Sequence, residues 1–173
     1  MQVKNLPAAA ERIKKAIANQ EKIILYGDSD LDGISSVVVV QEAIKNLGGT
    51  VHDVLFPDRE NDGYGINKKA LELIKHEAPA LFVTLDLGIG NLKEVDIANE
   101  LGFEVIIIDH HQILNGLPKA SIIVNPQQPG DDSEYKYLCN AGLAFKLAEE
   151  LLGPQISSKL RNSFLELTAL ATI

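Results

Sequence analysis

The chain has 173 residues, which fits one domain of ordinary size. Hydrophobic residues make up 46% and charged residues 23%, and these values exclude a disordered or fibrous chain. The 24 acidic and 16 basic residues give a net charge of −8, the wrong sign for a domain that binds nucleic acid by charge alone. A single cysteine, Cys139, excludes an internal disulfide, and neither a membrane span nor a secretory signal is recognisable. The sequence therefore predicts a protein of a reducing, cytoplasmic compartment that has no contact with a membrane.

Short apolar runs alternate with longer amphipathic stretches along the chain. The predicted elements are, in order, helix 8–19, strand 23–26, helix 34–47, strand 51–56, helix 68–76, strand 81–85, helix 92–101, strands 105–108 and 122–124, helix 142–152 and a last helix from residue 157. The strands are rich in β-branched residues and apolar on both faces, as in sheets buried between helices. Glycines follow two of the helices, where C-caps require them. This pattern predicts an α/β fold with a five-stranded parallel sheet, helices on both faces and right-handed crossovers.

The last predicted helix becomes apolar toward the end of the chain. It carries Leu167, Leu170 and Ile173, and no polar tail follows. Since natural termini are usually exposed and frayed, we expect residues 1–173 to be one domain cut inside a buried element of a longer protein.

Polar side chains follow four of the five predicted strands. Ligands of open parallel sheets bind outside the carboxyl ends of the strands, so these side chains are expected to meet at one edge. They are Asp28, Asp30 and Asp32 after the first strand, Asp86 after the third, Asp109, His110 and His111 after the fourth, and Asn125 after the fifth. Imidazole combined with several carboxylates suits manganese, magnesium or iron better than calcium, and zinc stays an alternative although the set is rich in oxygen. The sequence therefore predicts a metal site at this edge.

The three aspartates after the first strand alternate along the chain. On an extended backbone, Asp28, Asp30 and Asp32 would share one side, where they repel unless a cation lies between them. An EF-hand calcium loop is excluded, because its bidentate glutamate would fall at Val39 and a strand precedes the motif. Capping of a helix that starts near Ile34 by Asp28 or Asp32 would explain only one of the three.

Two adjacent histidines follow Asp109 at the end of the fourth strand. A single histidine there would more often be structural, whereas His110 and His111 beside strand-end acids are better explained as a metal ligand and a substrate contact. A dinucleotide fingerprint starting at Gly88 is excluded because position 93 is Lys93, and no P-loop motif occurs.

A loop with the sequence NDGYG follows Arg59. Arg59 could meet a phosphate and Tyr64 could stack on a base, although a solvent-exposed role is as compatible with either residue.

Three of these motifs, GDSDLDG, VTLDLGIGN and IIIDHHQ, occur in the order that resembles the DHH phosphoesterase superfamily. The segments PDRENDGYGIN, IVNPQQPG and YKYLCNAGLAFKLAEELLG bring the resemblance closer to the RecJ branch, and it extends from about Lys22 to the last residue. It implies a Rossmann-like DHH domain. It also implies a single-strand-specific exonuclease that degrades DNA from the 5′ end, uses Mn²⁺ or Mg²⁺ and releases 5′-mononucleotides.

The resemblance also implies roles for individual residues. Asp30, Asp32, Asp86 and His110 are the implied metal ligands, Asp28 lies beside the metals, Asp109 supports the site and His111 contacts the phosphate. Two divalent ions sharing Asp86 would lower the pKa of a bound water that attacks the phosphorus. Arg59, Tyr64 and Asn125 complete the set of candidate substrate contacts.

The sequence departs from the family pattern at two places. Tyr26 stands where many members have a histidine, a replacement that RecJ-like sequences tolerate. By the resemblance, a further metal-ligand motif is expected about where the chain stops, and a second, DHHA1-type domain, which helps to bind single-stranded nucleic acid, is expected outside residues 1–173. We therefore expect residues 1–173 alone to be weakly active or inactive. Two alternatives stay open: a DHH phosphodiesterase acting on short oligonucleotides or cyclic dinucleotides, and a catalytically silent replication partner.

Overall fold

Five parallel strands form a single sheet at the centre of the protein. The computed structural model describes residues 2–61 and 63–173, so Asp62 of the loop motif lies outside the described residues. The strands are β1 Ile23–Gly27, β2 Asp53–Leu55, β3 Ala80–Leu85, β4 Phe103–Ile108 and β5 Ile122–Val124. Their order is β2-β1-β3-β4-β5, and every neighbouring pair is parallel. The predicted α/β fold is confirmed.

Helices cover both faces of this sheet. They are α1 Leu6–Ala18, α2 Leu31–Asn46, α3 Lys68–Ile74, α4 Leu92–Glu100, α5 Asn140–Leu152 and α6 Ser158–Ala171, and short 3₁₀ turns follow α3 (Lys75–Glu77) and α5 (Gly153–Gln155). Alternate strand residues point to opposite faces. Leu25 and Val83 therefore join one core with α1, α2, α5 and α6, while Ile24 and Phe82 join the other with α3 and α4. Within the described ranges, no helix is long and apolar enough to span a membrane.

The start of α2 differs from the sequence prediction. The helix begins at Leu31 rather than near Ile34, because the side chain of Asp30 accepts a hydrogen bond of 3.0 Å from the backbone N–H of Gly33 and caps it. Gly33 permits this early turn, since a Cβ at this position would collide with the backbone of Asp28. The prediction of an extended backbone through all three aspartates was therefore wrong, because Asp32 lies in the first helical turn.

The predicted strand 51–56 was also too long. β2 is a three-residue edge strand that pairs only with β1 and is partly exposed. The glycines predicted to end helices do so: Gly48 after α2 and Gly102 after α4 both have positive φ angles, +78° and +95°.

Hydrogen bonding between the strands continues one residue past their carboxyl ends. The N–H of Asp28 donates to Leu85 O at 3.1 Å, that of Asp86 to Ile108 O at 2.9 Å, and that of Asp109 to Val124 O at 3.1 Å. Asp28, Asp86 and Asp109 therefore stand side by side, about one strand spacing (~4.8 Å) apart, at one edge of the sheet. The candidate site is built around these three aspartates.

Candidate metal centre

Asp86 lies at the centre of the acidic edge. Its side chain is only 2% exposed, and its backbone adopts a left-handed φ of +65°, a strained conformation for a residue with a side chain. Among the described residues, none gives its buried Oδ1 a well-formed hydrogen bond, although Nε2 of His110 lies 3.2 Å away. Burial raises the pKa of Asp86 to about 6, with the nearby imidazole of His110 opposing the effect and the negative charge of Asp32 adding to it. A buried carboxylate oxygen of this kind suits a bound cation.

Two histidines face Asp86 from the end of β4. Ligand atoms of Asp86, His110 and His111 all lie within 4.8 Å of one another, which is close enough to share one ion. Nε2 of His110 is 3.6 Å from Asp32 Oδ2, and Nδ1 of His111 is 3.9 Å from Asp86 Oδ1. The neighbouring carboxylate of Asp86 raises the pKa of His110 in the absence of an ion. The structure therefore brings together residues that the sequence places 24 positions apart.

Asp109 orients the side chain of His111. Its carboxylate is buried, and Oδ1 lies 2.7 Å from Nδ1 of His111 and accepts the backbone N–H of the same residue at 3.0 Å. Its Oδ2 accepts the N–H of Ile89 at 3.0 Å. Burial alone would favour the neutral acid, but the hydrogen bonds and the charge of His111 outweigh it and lower the pKa of Asp109. In return, the hydrogen bond with Asp109 raises the pKa of His111 to about 9.

Asp28 and Asp30 form a second acidic cluster with Asp86, and their ligand atoms also lie within 4.8 Å of one another. Here, however, the guanidinium of Arg59 bridges the first two carboxylates, at 2.7 Å from Asp28 Oδ2 and 2.8 Å from Asp30 Oδ2. Burial opposes ionisation of Asp30, but the hydrogen bonds from Gly33 and Arg59 prevail and lower its pKa. In this structure, the predicted phosphate contact Arg59 is thus paired with two predicted metal-site carboxylates.

Asp32, another predicted metal ligand, caps a distant helix. Its Oδ2 accepts the N–H of Asn140 at 2.8 Å, and its Oδ1 accepts the N–H of Ala141 at 2.6 Å. A carboxylate at the N-terminus of α5 is favourable, because the free N–H groups there carry partial positive charge. This contact explains why α5 begins at Asn140, two residues before the predicted start. Since each carboxylate oxygen has two lone pairs, Asp32 keeps the capacity to bind an ion on the side facing His110.

Asn140, which was not among the predicted site residues, is fully buried beneath the site. Its amide is oriented so that Oδ1 accepts the N–H of Asp86 at 2.8 Å and Nδ2 donates to Ile108 O at 3.0 Å. Because a backbone N–H can only donate and a carbonyl can only accept, this orientation complements both groups, which also bond to each other across the sheet at 2.9 Å. Asn140 thus joins the segments that carry Asp32, Asp86 and the DHH motif. The available signal was a polar residue opening the otherwise apolar run NAGLAF.

A cleft of about 320 Å³ opens beside the row of aspartates. The turn after β3 and the side chains of Tyr64 and His111 line it. Tyr64 is exposed, and the guanidinium carbon of Arg59 lies 4.9 Å from the centre of its ring. Asn125 lies beneath the cleft instead: it is fully buried, its Nδ2 donates to the carbonyl of His111 at 3.0 Å, and its Oδ1 accepts the N–H of Gln127 at 2.7 Å. Asn125 therefore contacts the loop that carries His111 and does not face the cleft.

The available donors suit a hard divalent cation. The first cluster offers a carboxylate oxygen of Asp86 with imidazole nitrogens of His110 and His111, and the second adds oxygens of Asp28 and Asp30. Asp32 Oδ2 lies 3.6 Å from Nε2 of His110, at the margin of the first cluster. Such an oxygen-rich set with one or two imidazoles fits Mn²⁺ or Mg²⁺. Asp86 belongs to both clusters, and its unsatisfied Oδ1 supports this fit.

The fold and the site define a parallel α/β domain with an acidic, histidine-containing metal centre at the carboxyl edge of its sheet. The family model described as "DHH family, N-terminal domain" matches residues 22–172, and the chain belongs to this family. The single-stranded-DNA-specific exonuclease RecJ of Bacillus subtilis (strain 168) is 43% identical over 172 residues, which cover 99% of this chain and 21% of the relative. The chain therefore spans about a fifth of that protein's length.

Two solved structures have the same architecture. A crystal structure of exonuclease RecJ bound to manganese superposes with a TM-score of 0.86 at 29% identity, covering 99% of this chain and 43% of that one. RecJ from Thermus thermophilus in complex with Mn²⁺ gives a TM-score of 0.79 at 26% identity, covering all of this chain and 24% of that one. The predicted family and the predicted kind of cofactor are thus confirmed by relatives that hold manganese.

Proposed function

We propose that the protein to which this chain belongs is a metal-dependent exonuclease that hydrolyses single-stranded DNA from the 5′ end and releases 5′-mononucleotides. The observation that carries this proposal is the buried, unsatisfied Oδ1 of Asp86, directed toward His110 beside a row of further carboxylates. The names of the relatives support the choice of substrate. In the proposal, residues 1–173 form the DHH-type catalytic domain, and a further metal ligand and the main DNA-binding surface belong to the part of the relatives that this chain does not span.

Asp86 and His110 would hold one divalent ion, with Oδ2 of Asp32 3.6 Å from Nε2 of His110, and Asp28 and Asp30 lie where a second would bind. Divalent ions at such a site neutralise the negative charge that develops on the phosphate and lower the pKa of water. The chain's own residues set the geometry: the strand ladder spaces the carboxylates, and the hydrogen bonds of Asn140 hold the backbone of Asp86 in its strained conformation.

His111 would act on the phosphate. Because Asp109 raises the pKa of His111 to about 9, the imidazole is a cation at neutral pH, and more than half of its side chain is exposed at the cleft. It would donate a hydrogen bond to a non-bridging oxygen, or give a proton to the 3′-oxygen of the terminal nucleotide as the P–O3′ bond breaks. Tyr64 offers an exposed ring on which a base of a single strand can stack.

The test is an exonuclease assay of the Asp86→Asn protein on a single-stranded oligonucleotide with Mn²⁺. We expect a loss of roughly 100-fold or more, the size seen when a central electrostatic group is removed from an active site. Asp96→Asn is the matched control, since Asp96 is an exposed carboxylate of α4 that pairs with Lys119 away from the site. Undiminished activity in a folded Asp86→Asn protein would refute the proposed role.

A substrate series separates the proposal from the alternative phosphodiesterase. We expect long single strands to be degraded to 5′-mononucleotides, and cyclic dinucleotides to be poor substrates. Preferential hydrolysis of dinucleotides or cyclic dinucleotides would keep the metal-dependent hydrolase and reject the DNA exonuclease.

A further inference from the structure

The guanidinium of Arg59 binds the second acidic cluster through two of its nitrogen atoms. Its Nε lies 2.9 Å from Asp28 Oδ1 and one terminal nitrogen lies 2.7 Å from Asp28 Oδ2, which is the parallel geometry that guanidinium and carboxylate groups prefer. The same terminal nitrogen also donates to Asp30 Oδ2 at 2.8 Å. One guanidinium therefore lies between two carboxylates that could otherwise share an ion.

The two clusters differ in how their oxygens are occupied. In the described part of the chain, Oδ1 of Asp86 receives no well-formed hydrogen bond and faces Nε2 of His110 at 3.2 Å. Because an imidazole can itself become a ligand of the ion, the first cluster is open to a cation. In contrast, both oxygens of Asp28 face Arg59, and those of Asp30 accept hydrogen bonds from Gly33 and Arg59. A divalent ion cannot take these oxygens while a guanidinium holds them, because the two cations would repel each other at contact distance.

Arg59 is placed where it can move away. It lies in the loop between β2 and α3, its side chain is 31% exposed, and its guanidinium stacks near the exposed ring of Tyr64 at the cleft. Guanidinium groups are also good phosphate ligands, and they use the same forked geometry for phosphate as for carboxylate. Leaving the carboxylates would therefore bring Arg59 toward the position proposed for the substrate.

We propose that Arg59 is an internal cation that occupies the second metal position and makes the two ions load unequally. The first ion binds at Asp86 and His110 with Arg59 in place. The second binds at Asp28 and Asp30 only when the guanidinium swings out, and a phosphate oxygen then accepts its hydrogen bonds. Phosphate and the second ion therefore strengthen each other's binding, since coupling between two sites is reciprocal. This inference rests on the proposed function and adds an order of loading to it.

Calorimetric titration of the 173-residue chain with Mn²⁺ alone tests the unequal loading. We expect the wild-type chain to bind one ion tightly and a second weakly. In Arg59→Gln, the second ion should bind at least about 10-fold more tightly, while the affinity of the first stays unchanged. Arg161→Gln is the matched control, because Arg161 also pairs with a carboxylate, that of Glu149, and lies over an aromatic ring, that of Phe145.

A second titration, in inorganic phosphate, tests the coupling. Phosphate should tighten the second Mn²⁺ in the wild-type chain and have no such effect in Arg59→Gln. An Arg59→Gln chain that binds Mn²⁺ with the same number of ions and the same affinities as wild type, or that binds the second ion more weakly, would overturn the inference and leave the proposed function standing. A folded wild-type chain that binds no Mn²⁺ would contradict the proposed function itself.

Discussion

Asp86 makes the metal-free protein less stable as the pH rises. Its pKa of about 6 in the folded protein lies above its ordinary value of 3.8, so the stability linked to its protonated form is fully present below about pH 4 and is lost as the pH rises through 6. A shift of this size corresponds to roughly 2–3 kcal/mol, at about 1.4 kcal/mol per pKa unit. A bound divalent ion reverses this loss of stability, because it neutralises the buried charge of Asp86.

Replacing Asp86 with asparagine, its neutral isostere, separates the effect of Asp86 on folding stability from its effect on metal binding. In the presence of a chelator at pH 8, we expect Asp86→Asn to have a higher free energy of unfolding than wild type, by up to about 3 kcal/mol. Urea unfolding followed by circular dichroism measures this difference, which should vanish below about pH 4. Mn²⁺ should then stabilise the wild type and leave the variant unchanged. A variant that is less stable than wild type at pH 8 without metal would contradict the electrostatic account.

His111 should remain protonated across the physiological pH range. Because the hydrogen bond with Asp109 raises its pKa to about 9, the stability from this pair is fully present below pH 6.5 and is lost as the pH rises through 9. We expect NMR titration of the metal-free chain to show His111 titrating near pH 9, and Asp109→Asn to lower this value by at least one unit. Asp96→Asn should leave it unchanged. Titration of His111 near pH 6.5 in the wild type would show that the pair does not form.

At the scale of elements, the first turn of α5 fastens the metal-binding segments together. Asn140→Ala removes the three side-chain hydrogen bonds to Ile108 O, Asp86 N–H and Ser36 Oγ, while the two backbone groups keep their bond to each other, and it should cost about 1–3 kcal/mol. We also expect the affinity for Mn²⁺ to fall several-fold, because Asp86 loses its backbone support. Urea unfolding and Mn²⁺ titration measure the two effects.

A matched control distinguishes positioning from stability alone. Asn99→Ala removes a comparable amide contact, from Asn99 Nδ2 to Lys119 O at 2.9 Å, between α4 and the loop before β5. We expect it to leave the affinity for Mn²⁺ unchanged. If Asn140→Ala bound Mn²⁺ as tightly as wild type, Asn140 would be a purely structural residue.

Buried strands were the elements most accurately predicted from sequence. β1, β3 and β5 fall within one residue of their predicted ends, and β4 begins two residues early, because an apolar run covered on both faces has few alternatives. The length of β2 was overestimated, since an edge strand constrains its sequence less than a buried strand does. The starts of α2 and α5 were missed because side chains of Asp30 and Asp32 determine them, and the contact that starts α5 crosses more than a hundred residues. Periodicity carries no information about such caps.

At the scale of the whole molecule, the parallel topology brings the functional side chains to one edge of the sheet. Any parallel sheet brings the carboxyl ends of its strands to one edge, so the meeting of Asp86, Asp109 and His110 followed from the order of motifs. The bridge that Arg59 makes between Asp28 and Asp30 did not, because the geometry of a long loop is not encoded in hydrophobic spacing. A chain with a net charge of −8 that concentrates carboxylates at one edge requires cations there before it can approach a phosphate backbone.

The position of a bound metal ion decides whether the acidic edge of the sheet is a metal centre. Anomalous diffraction from crystals of this chain grown with Mn²⁺ should show a manganese peak in direct contact with Oδ1 of Asp86 and Nε2 of His110. A folded, well-diffracting protein with manganese bound only elsewhere, or with no peak between these two side chains, would contradict the account.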